Sequence, residues 1–239
     1  MATPASERAT AILVAAGSST RMGGGPRKPL LEIGGRTLVE HAAGAFDAVG
    51  EVEAIVIVGH PDDLARLREL ARSSPALAKV RAVVAGGEQR VDSVRAGVAA
   101  ASAGAVLLCV HDAARPLVEP ETIRRAIVLA TREGAAIVAV AVRDTLKRSD
   151  ARMRAESTLD RTGLWAAQTP QIFRAALLCE LLERAHRDGF VPTDCAALHE
   201  RYAGPVPIVE GEPTNIKVTT PADLALAAAI LAQREGARP

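Results

Sequence analysis

The amino-acid sequence predicts an α/β fold: a mostly parallel central sheet flanked by helices, with a protruding β-arm. Three observations lead there. Short apolar runs recur along the chain, at Ala11–Ala16, Glu53–Val58, Val80–Val84, Ala105–Val110 and Ala135–Val142. Unbroken apolar runs of this length suit strands buried on both faces. Segments of helical period separate the runs, the pattern of βαβ units around a parallel sheet. The stretch 143–163, RDTLKRSDARMRAESTLDRTG, breaks the alternation, being charged and short of large apolar residues. It is an exposed loop or a hairpin arm, and roughly twenty residues without structure in a compact domain favour the arm.

Composition narrows the function. With 239 residues, 49% of them hydrophobic, the chain can bury a large core. A net charge of +1 gives no global field to recruit nucleic acid or a membrane surface. At 2% aromatic there is almost nothing for bases to stack on, which argues against single-stranded nucleic acid. No apolar run approaches the ~20 residues of a membrane span, and the N-terminus MATPASERAT lacks a signal peptide's apolar core, so a cytoplasmic location is expected. Cys109, Cys179 and Cys195 are odd in number and widely spaced, which reads as free thiols rather than a disulfide framework or zinc site. Of 29 basic Lys and Arg residues only four are lysine: Lys28, Lys79, Lys147 and Lys217. A chain so biased to arginine is expected to keep lysine where a compact ammonium matters.

Taken in order, the first strand empties into a glycine-rich loop, Gly17-Ser18-Ser19 and Gly23-Gly24-Gly25, with Arg21, Arg27 and Lys28 around it. Such a loop lets backbone N–H groups approach phosphate oxygens beside fixed cations, or is a plain connection; it fits neither G-x-G-x-x-G nor G-x-x-x-x-G-K-[ST]. Thr37 is the N-cap of a helix to Val49, and Pro61–Arg72 reads as another. After the strand Val80–Val84 comes a second glycine turn, Gly86-Gly87, and a helix from Arg90 to Ala101 with Ser93 one turn inside. Ala105–Val110 delivers His111-Asp112-Ala113-Ala114-Arg115-Pro116 at its end. A helix at Glu121–Arg132 stops at Gly134. Beyond the arm, Arg174–Arg187 is an amphipathic helix and Thr193-Asp194 starts a shorter one. Val206–Val209 and Ile216–Val218 read as short strands, and the last helix opens on Thr220, Pro221 and Asp223. No linker or repeat divides residues 1–239, so one domain with an arm at about 143–163 is expected.

Right-handed crossovers would gather the strand-end loops on one sheet edge, where ligands of open α/β sheets bind. The Arg21/Lys28 loop, Asp112, Arg115 and Lys217 all fall where a strand runs out. Each has a structural explanation alone, as cap, ion pair or solvated lysine; together they point to a polyanionic ligand. Asp112 among cations suits a magnesium nucleotide, because Mg²⁺ is usually held by one or two carboxylates plus phosphate oxygens.

These stretches resemble the 2-C-methyl-D-erythritol 4-phosphate cytidylyltransferase family. The matches are AAGSSTRM with Lys28, AGGEQRVDSV, VHDAARP, VRDTLKR, LDRTGLW, TPQIF, Thr193-Asp194 and VEGEPTNIKVTTPADLALA, running in family order from about residue 11 to 228. The resemblance implies a Rossmann-like nucleotidyltransferase that joins CTP to methylerythritol phosphate and releases pyrophosphate, with Mg²⁺ as cofactor. It implies Arg21 and Lys28 at the α-phosphate in the transition state; Ala15, Ala16 and Gly17 against the nucleotide; and Gly87 and Ser93 reading cytosine. It places Asp112 and Arg115 at the ribose, phosphate and metal region. Lys217, Arg161 and Thr145 would hold the attacking phosphate, with Thr169 a further candidate. The family's arm, here carrying Thr145 and Arg161, reaches into a neighbouring subunit, which implies a homodimer.

The chain departs from the family pattern at three positions: Arg27 stands where proline precedes the loop lysine, Pro29 replaces a glutamine, and Cys195 an acidic residue. Two other readings stay open. One is a cytidylyltransferase for another sugar-alcohol phosphate such as ribitol 5-phosphate. The other is a non-catalytic nucleotide-binding regulatory domain, against which the joint presence of Arg21, Lys28, Asp112 and Lys217 argues.

Overall fold

The structure, a computed structural model, describes residues 8–17, 26–101 and 104–236. Strand β1 (Ala9–Ala15) is followed by a 3₁₀ turn at Lys28–Leu30, a small hairpin of β2 (Glu32–Ile33) and β3 (Arg36–Thr37), and helix α1 (Leu38–Asp47). Next come β4 (Val52–Gly59), a 3₁₀ turn at Pro61–Asp63, α2 (Leu64–Ser73), β5 (Val80–Ala85), α3 (Arg90–Ala100), β6 (Leu107–Asp112), α4 (Pro120–Glu133) and β7 (Ala135–Ala141). The arm is β8 (Lys147–Ser149) and β9 (Ala155–Thr158); β10 (Trp165–Arg174), α5 (Ala175–Arg187), α6 (Cys195–Tyr202), β11 (Ile208–Glu210) and α7 (Pro221–Gly236) follow.

Local chemistry sets the boundaries. At α1, Thr37 Oγ1 accepts the Glu40 N–H and the Glu40 carboxylate accepts the Thr37 N–H at 2.9 Å, a reciprocal box that satisfies two orphan donors. The same device opens α7, where Asp223 accepts the N–H groups of Thr219 and Thr220 at 2.9 and 2.8 Å. Helix α4 stops at Gly134, which adopts φ 88°, a left-handed conformation that side chains resist.

The sheet has seven strands in the order β11-β7-β10-β6-β1-β4-β5. The pairs β6/β1, β1/β4, β4/β5 and β11/β7 are parallel. Strand β10 runs antiparallel between β6 and β7. The sequence reading has no strand there, because Trp165–Arg174 carries two glutamines, a threonine and the cis-bonded Pro170 instead of an apolar run. Its pairing with β7 shifts register between Ala167 and Gln171, which accommodates the proline. The stretch 216–218, expected as a strand, is extended loop tied to Ala114 O by the Val218 N–H at 2.8 Å.

Side chains alternate along β1. Ala9, Ala11, Leu13 and Ala15 pack with Phe46 of α1, Leu67 of α2 and Ile123 of α4. Ile12 packs on the other face with Val94 of α3, Leu178 of α5 and Leu198 of α6. Two helical layers thus cover the sheet, each fully buried Leu, Ile or Phe contributing about 1.5–3 kcal/mol. Helix α7 lies apart, sealing β2 and Leu117 through Leu38, Val218 and Ala227. The expected arm is present as a two-stranded antiparallel ribbon whose strand residues are all exposed.

Candidate active site

Strand order reverses beside β1: the chain goes out through β4 and β5, then returns to β6 on β1's other side. A crevice belongs at the carboxyl ends of β1 and β6 in such a sheet. A cavity of about 550 Å³ opens there, within the range of small-molecule sites. Val14, Ala15, Ala16 and Gly17 form one wall, Gly87 to Arg90 and Ser93 a second, and Lys28 with Pro29 and His60 a third. Asp112, Ala114, Lys217 and Thr219 line its floor.

Asp112, the last residue of β6, is the electrostatic centre. Its Oδ2 accepts Lys217 Nζ at 2.7 Å, and its Oδ1 accepts Arg90 Nε at 3.1 Å. Burial alone would push this carboxyl up, but Arg90 and Lys217 outweigh burial and hold it well below the usual carboxylate range. The group is therefore a fixed anion that aims two cations into the cavity. Arg90 stands at the start of α3, and its Nη1 also lies 3.8 Å from Cys195 Sγ. Sequence alone leaves Arg90 unmarked; the signal was its place in AGGEQRVDSV, next to residues that were singled out.

Behind Asp112 lies a largely buried polar network. His111 is fully buried, its Nε2 pairing with the Arg115 carbonyl at 3.0 Å and its Nδ1 with Thr169 Oγ1 at 2.9 Å. A carbonyl only accepts, so Nε2 carries the proton and Nδ1 accepts from the Thr169 hydroxyl. The same Oγ1 accepts the Asp112 N–H at 3.1 Å. Burial pushes the His111 imidazole down to about 4, so the ring is neutral at physiological pH. Asn215, also fully buried, donates to Thr169 O at 3.0 Å and Gln168 Oε1 at 3.1 Å, while its carbonyl accepts Arg115 Nη1 at 2.8 Å. Arg115 and Thr169 thus hold the floor together, and neither lines the cavity. Asn215 sits two residues before Lys217 and pins the segment that presents the lysine. Arg234 of α7 clamps that segment from outside through Thr214 Oγ1 and Glu119, each at 2.9 Å.

The Gly86-Gly87 turn is shaped by close approach. A Cβ on Gly86 would lie 2.4 Å from the Ala16 Cβ and 2.6 Å from Ser93 Oγ, so only glycine lets this turn seat against β1's exit. Ser93 Oγ accepts the Gly87 N–H at 3.3 Å. Across the cavity, Lys28 begins its 3₁₀ turn and lines the wall, whereas Arg27 points away to Asp62 and Asp63. Arg21 lies outside the described residues.

The structure therefore brings Ala15, Ala16, Gly17, Lys28, Gly87, Ser93, Asp112 and Lys217 to one cavity. It does not bring Thr145 and Arg161 there. Both are exposed at the base of the arm, where Arg161 Nη1 donates to the Arg143 carbonyl. Among the described residues no three His, Cys, Asp or Glu side chains cluster as a metal cage. Arg90 takes Asp112 Oδ1 with both Nε and Nη2, at 3.1 and 3.0 Å, and Lys217 takes Oδ2. A lone carboxylate still fits Mg²⁺ when a nucleotide supplies phosphate oxygens, because each carboxylate oxygen has about two acceptor positions.

Comparison with known proteins identifies the family. The family model for 2-C-methyl-D-erythritol 4-phosphate cytidylyltransferase (IspD) matches residues 9–233. The chain is 42% identical over 224 residues to the enzyme of that name from Geobacillus kaustophilus, covering 94% of this chain and 97% of the relative. The crystal structure of 4-diphosphocytidyl-2C-methyl-D-erythritol synthase from Anaerococcus prevotii superposes with a TM-score of 0.83 at 30% identity, over 95% of this chain and 97% of that one. The Thermus thermophilus cytidylyltransferase gives 0.77 at 33% identity, over 94% and 98% of the two chains. The chain belongs to the 2-C-methyl-D-erythritol 4-phosphate cytidylyltransferase family.

Proposed function

We infer that the chain transfers the cytidylyl group of CTP to the phosphate of 2-C-methyl-D-erythritol 4-phosphate, giving 4-diphosphocytidyl-2-C-methyl-D-erythritol and pyrophosphate. The observation that carries this reading is the convergence of Lys28, Lys217, Arg90 and Asp112 on one cavity beside the Gly86-Gly87 turn, with Asp112 holding Arg90 and Lys217. An acceptor phosphate oxygen forms a bond to the α-phosphorus of CTP. The bond to the bridging oxygen opposite breaks, and its electron pair leaves with pyrophosphate. Positioning and charge neutralisation supply most of the rate in such a displacement.

Lys28, with Arg21 on the same loop, neutralises charge at the α-phosphate as the transition state forms. Gly87 and Ser93 take the cytosine edge, and Ala15, Ala16 and Gly17 lie against the nucleotide. Lys217, held by Asp112 and by the Asn215 segment, takes the acceptor phosphate; Arg115 and Thr169 keep that floor in place. Asp112 would hold Mg²⁺ together with nucleotide phosphate oxygens, and the ion would supply further neutralisation of phosphate charge.

We read residues 1–239 as one nucleotidyltransferase domain that works as a homodimer. Thr145 and Arg161 would complete the acceptor site of a second copy. In support, neither lines its own cavity, and the arm and its base expose Met153, Leu164 and Trp165, at 86%, 38% and 40%. The three free cysteines suit a reducing cytoplasm, and no helix among the described residues is long and apolar enough to cross a membrane. Pyrophosphate release, measured with CTP and each acceptor in turn, tests the reading. Release is expected with methylerythritol phosphate. Release with ribitol 5-phosphate alone would overturn the acceptor, and CTP binding without product under any acceptor would leave a non-catalytic domain.

A further inference from the structure

We propose that Arg27 is a positioning residue for Lys28: its side chain latches the segment after β1 to the turn after β4, and so fixes where the lysine ammonium stands. The inference rests on the role given to Lys28 above. The guanidinium is forked across two carboxylates of one 3₁₀ turn, with Nη2 2.6 Å from Asp62 Oδ2 and Nη1 2.9 Å from Asp63 Oδ1. The Arg27 side chain is 25% exposed and that of Asp63 only 14%, so this half of the fork is sheltered, unlike a solvent-averaged surface pair.

The latch ties elements that follow two neighbouring strands. Strands β1 and β4 are parallel neighbours, with Ala15 opposite Gly59 at their ends. Beyond that edge, Arg27 ties its own segment to the turn that follows β4. The residues next to the tie face the ligand: Lys28 and Pro29 on one side and His60 on the other line the cavity. Arg27 also founds the Lys28–Leu30 turn, its carbonyl accepting the Leu30 N–H at 2.9 Å. A sideways movement of Arg27 is therefore passed directly to Lys28.

The test is steady-state kinetics on the full chain with CTP and methylerythritol phosphate. A misplacement of about 1 Å can cost ~100-fold, so Arg27→Ala should lower kcat about ten-fold or more with KM for both substrates unchanged. Arg27→Lys, which can keep one ion pair, should recover part of that loss. Asp63→Asn should reproduce it, and the double variant Arg27→Ala/Asp63→Asn should be no worse than either single one. In a Lys28→Ala background, Arg27→Ala should cost nothing further. Thermal melting of each variant reports that the fold is retained. Wild-type kcat in Arg27→Ala overturns the latch, as does a raised KM for CTP, which would mean direct contact with the nucleotide. A cost that persists without Lys28 also overturns it, showing a general structural role. Normal turnover in Lys28→Ala alone would instead remove the role of Lys28, a separate outcome.

Discussion

The cavity floor and the arm draw on the same residue types, arginine, lysine, aspartate and threonine, and hold them in opposite ways. On the floor, Asp112, His111, Thr169, Asn215 and Arg115 form a buried network in which each hydrogen bond orients the next. On the arm, Asp150, itself half-buried, accepts the N–H groups of exposed Arg152 and Arg154 at 2.9 Å, and exposed Lys147 reaches exposed Thr158 at 2.5 Å. A two-stranded ribbon is marginally stable by itself. The difference separates two ways of making a site. The floor is preorganised by the fold, so its residues carry both stability and chemistry. Residues on the arm carry function only when something meets them.

Three measurements bear on that contrast. The largest effect is expected at the floor. Asp112→Asn leaves Arg90 and Lys217 facing each other without their shared anion. Removing one partner of a buried pair costs 3–5 kcal/mol, and Lys217 is partly exposed, so about 3 kcal/mol should be lost from urea-unfolding stability. A loss below about 1 kcal/mol would place the pair with ordinary surface ion pairs and erase the contrast.

A smaller effect comes from His111. Its imidazole is about 4 in the folded protein against 6.5 in the unfolded chain, so the unfolded state binds the proton first as pH falls. This contribution to stability is complete above pH 6.5 and is lost progressively down to about pH 4. By linkage, wild type should lose about 2 kcal/mol from this group between pH 8 and pH 5, and His111→Gln should lack that component. An unchanged pH dependence in the variant would mean the ring is not held neutral.

The smallest effect on stability should come from the arm. Arg161→Ala should change unfolding free energy by no more than about 0.5 kcal/mol, as for an exposed substitution, while raising the acceptor KM. A marked stability loss with unaltered KM would make the arm part of the core instead of a partner-facing element.

What could be read from the sequence follows the same division. The parallel strands were legible because burial on both faces leaves them unbroken apolar runs. The arm was legible because charge excludes it from a core. Strand β10 was not: its buried residues include Gln168, Thr169 and Gln171, whose polar groups find most of their partners far away in sequence. Gln171, for instance, donates to Asp194 at 2.8 Å and accepts the Cys195 N–H at 2.9 Å, contacts that no local pattern announces. The same holds for Arg90, whose partner Asp112 is 22 residues away. Residues that met the cavity at strand ends could be named in advance. The positions of Arg115 and Thr169 behind the floor needed the three-dimensional network.

The antiparallel placement of β10 has a consequence for the arm's history. Strands β7 and β10 are direct neighbours, with Ala141 opposite Trp165, and a connection between such strands needs only about 2–5 residues. The arm thus stands where a short hairpin loop would suffice, beyond the hydrogen bond from the Val142 N–H to the Leu164 carbonyl at 3.0 Å. The fold sets no limit on this segment, and selection can act on it only through the surface it touches.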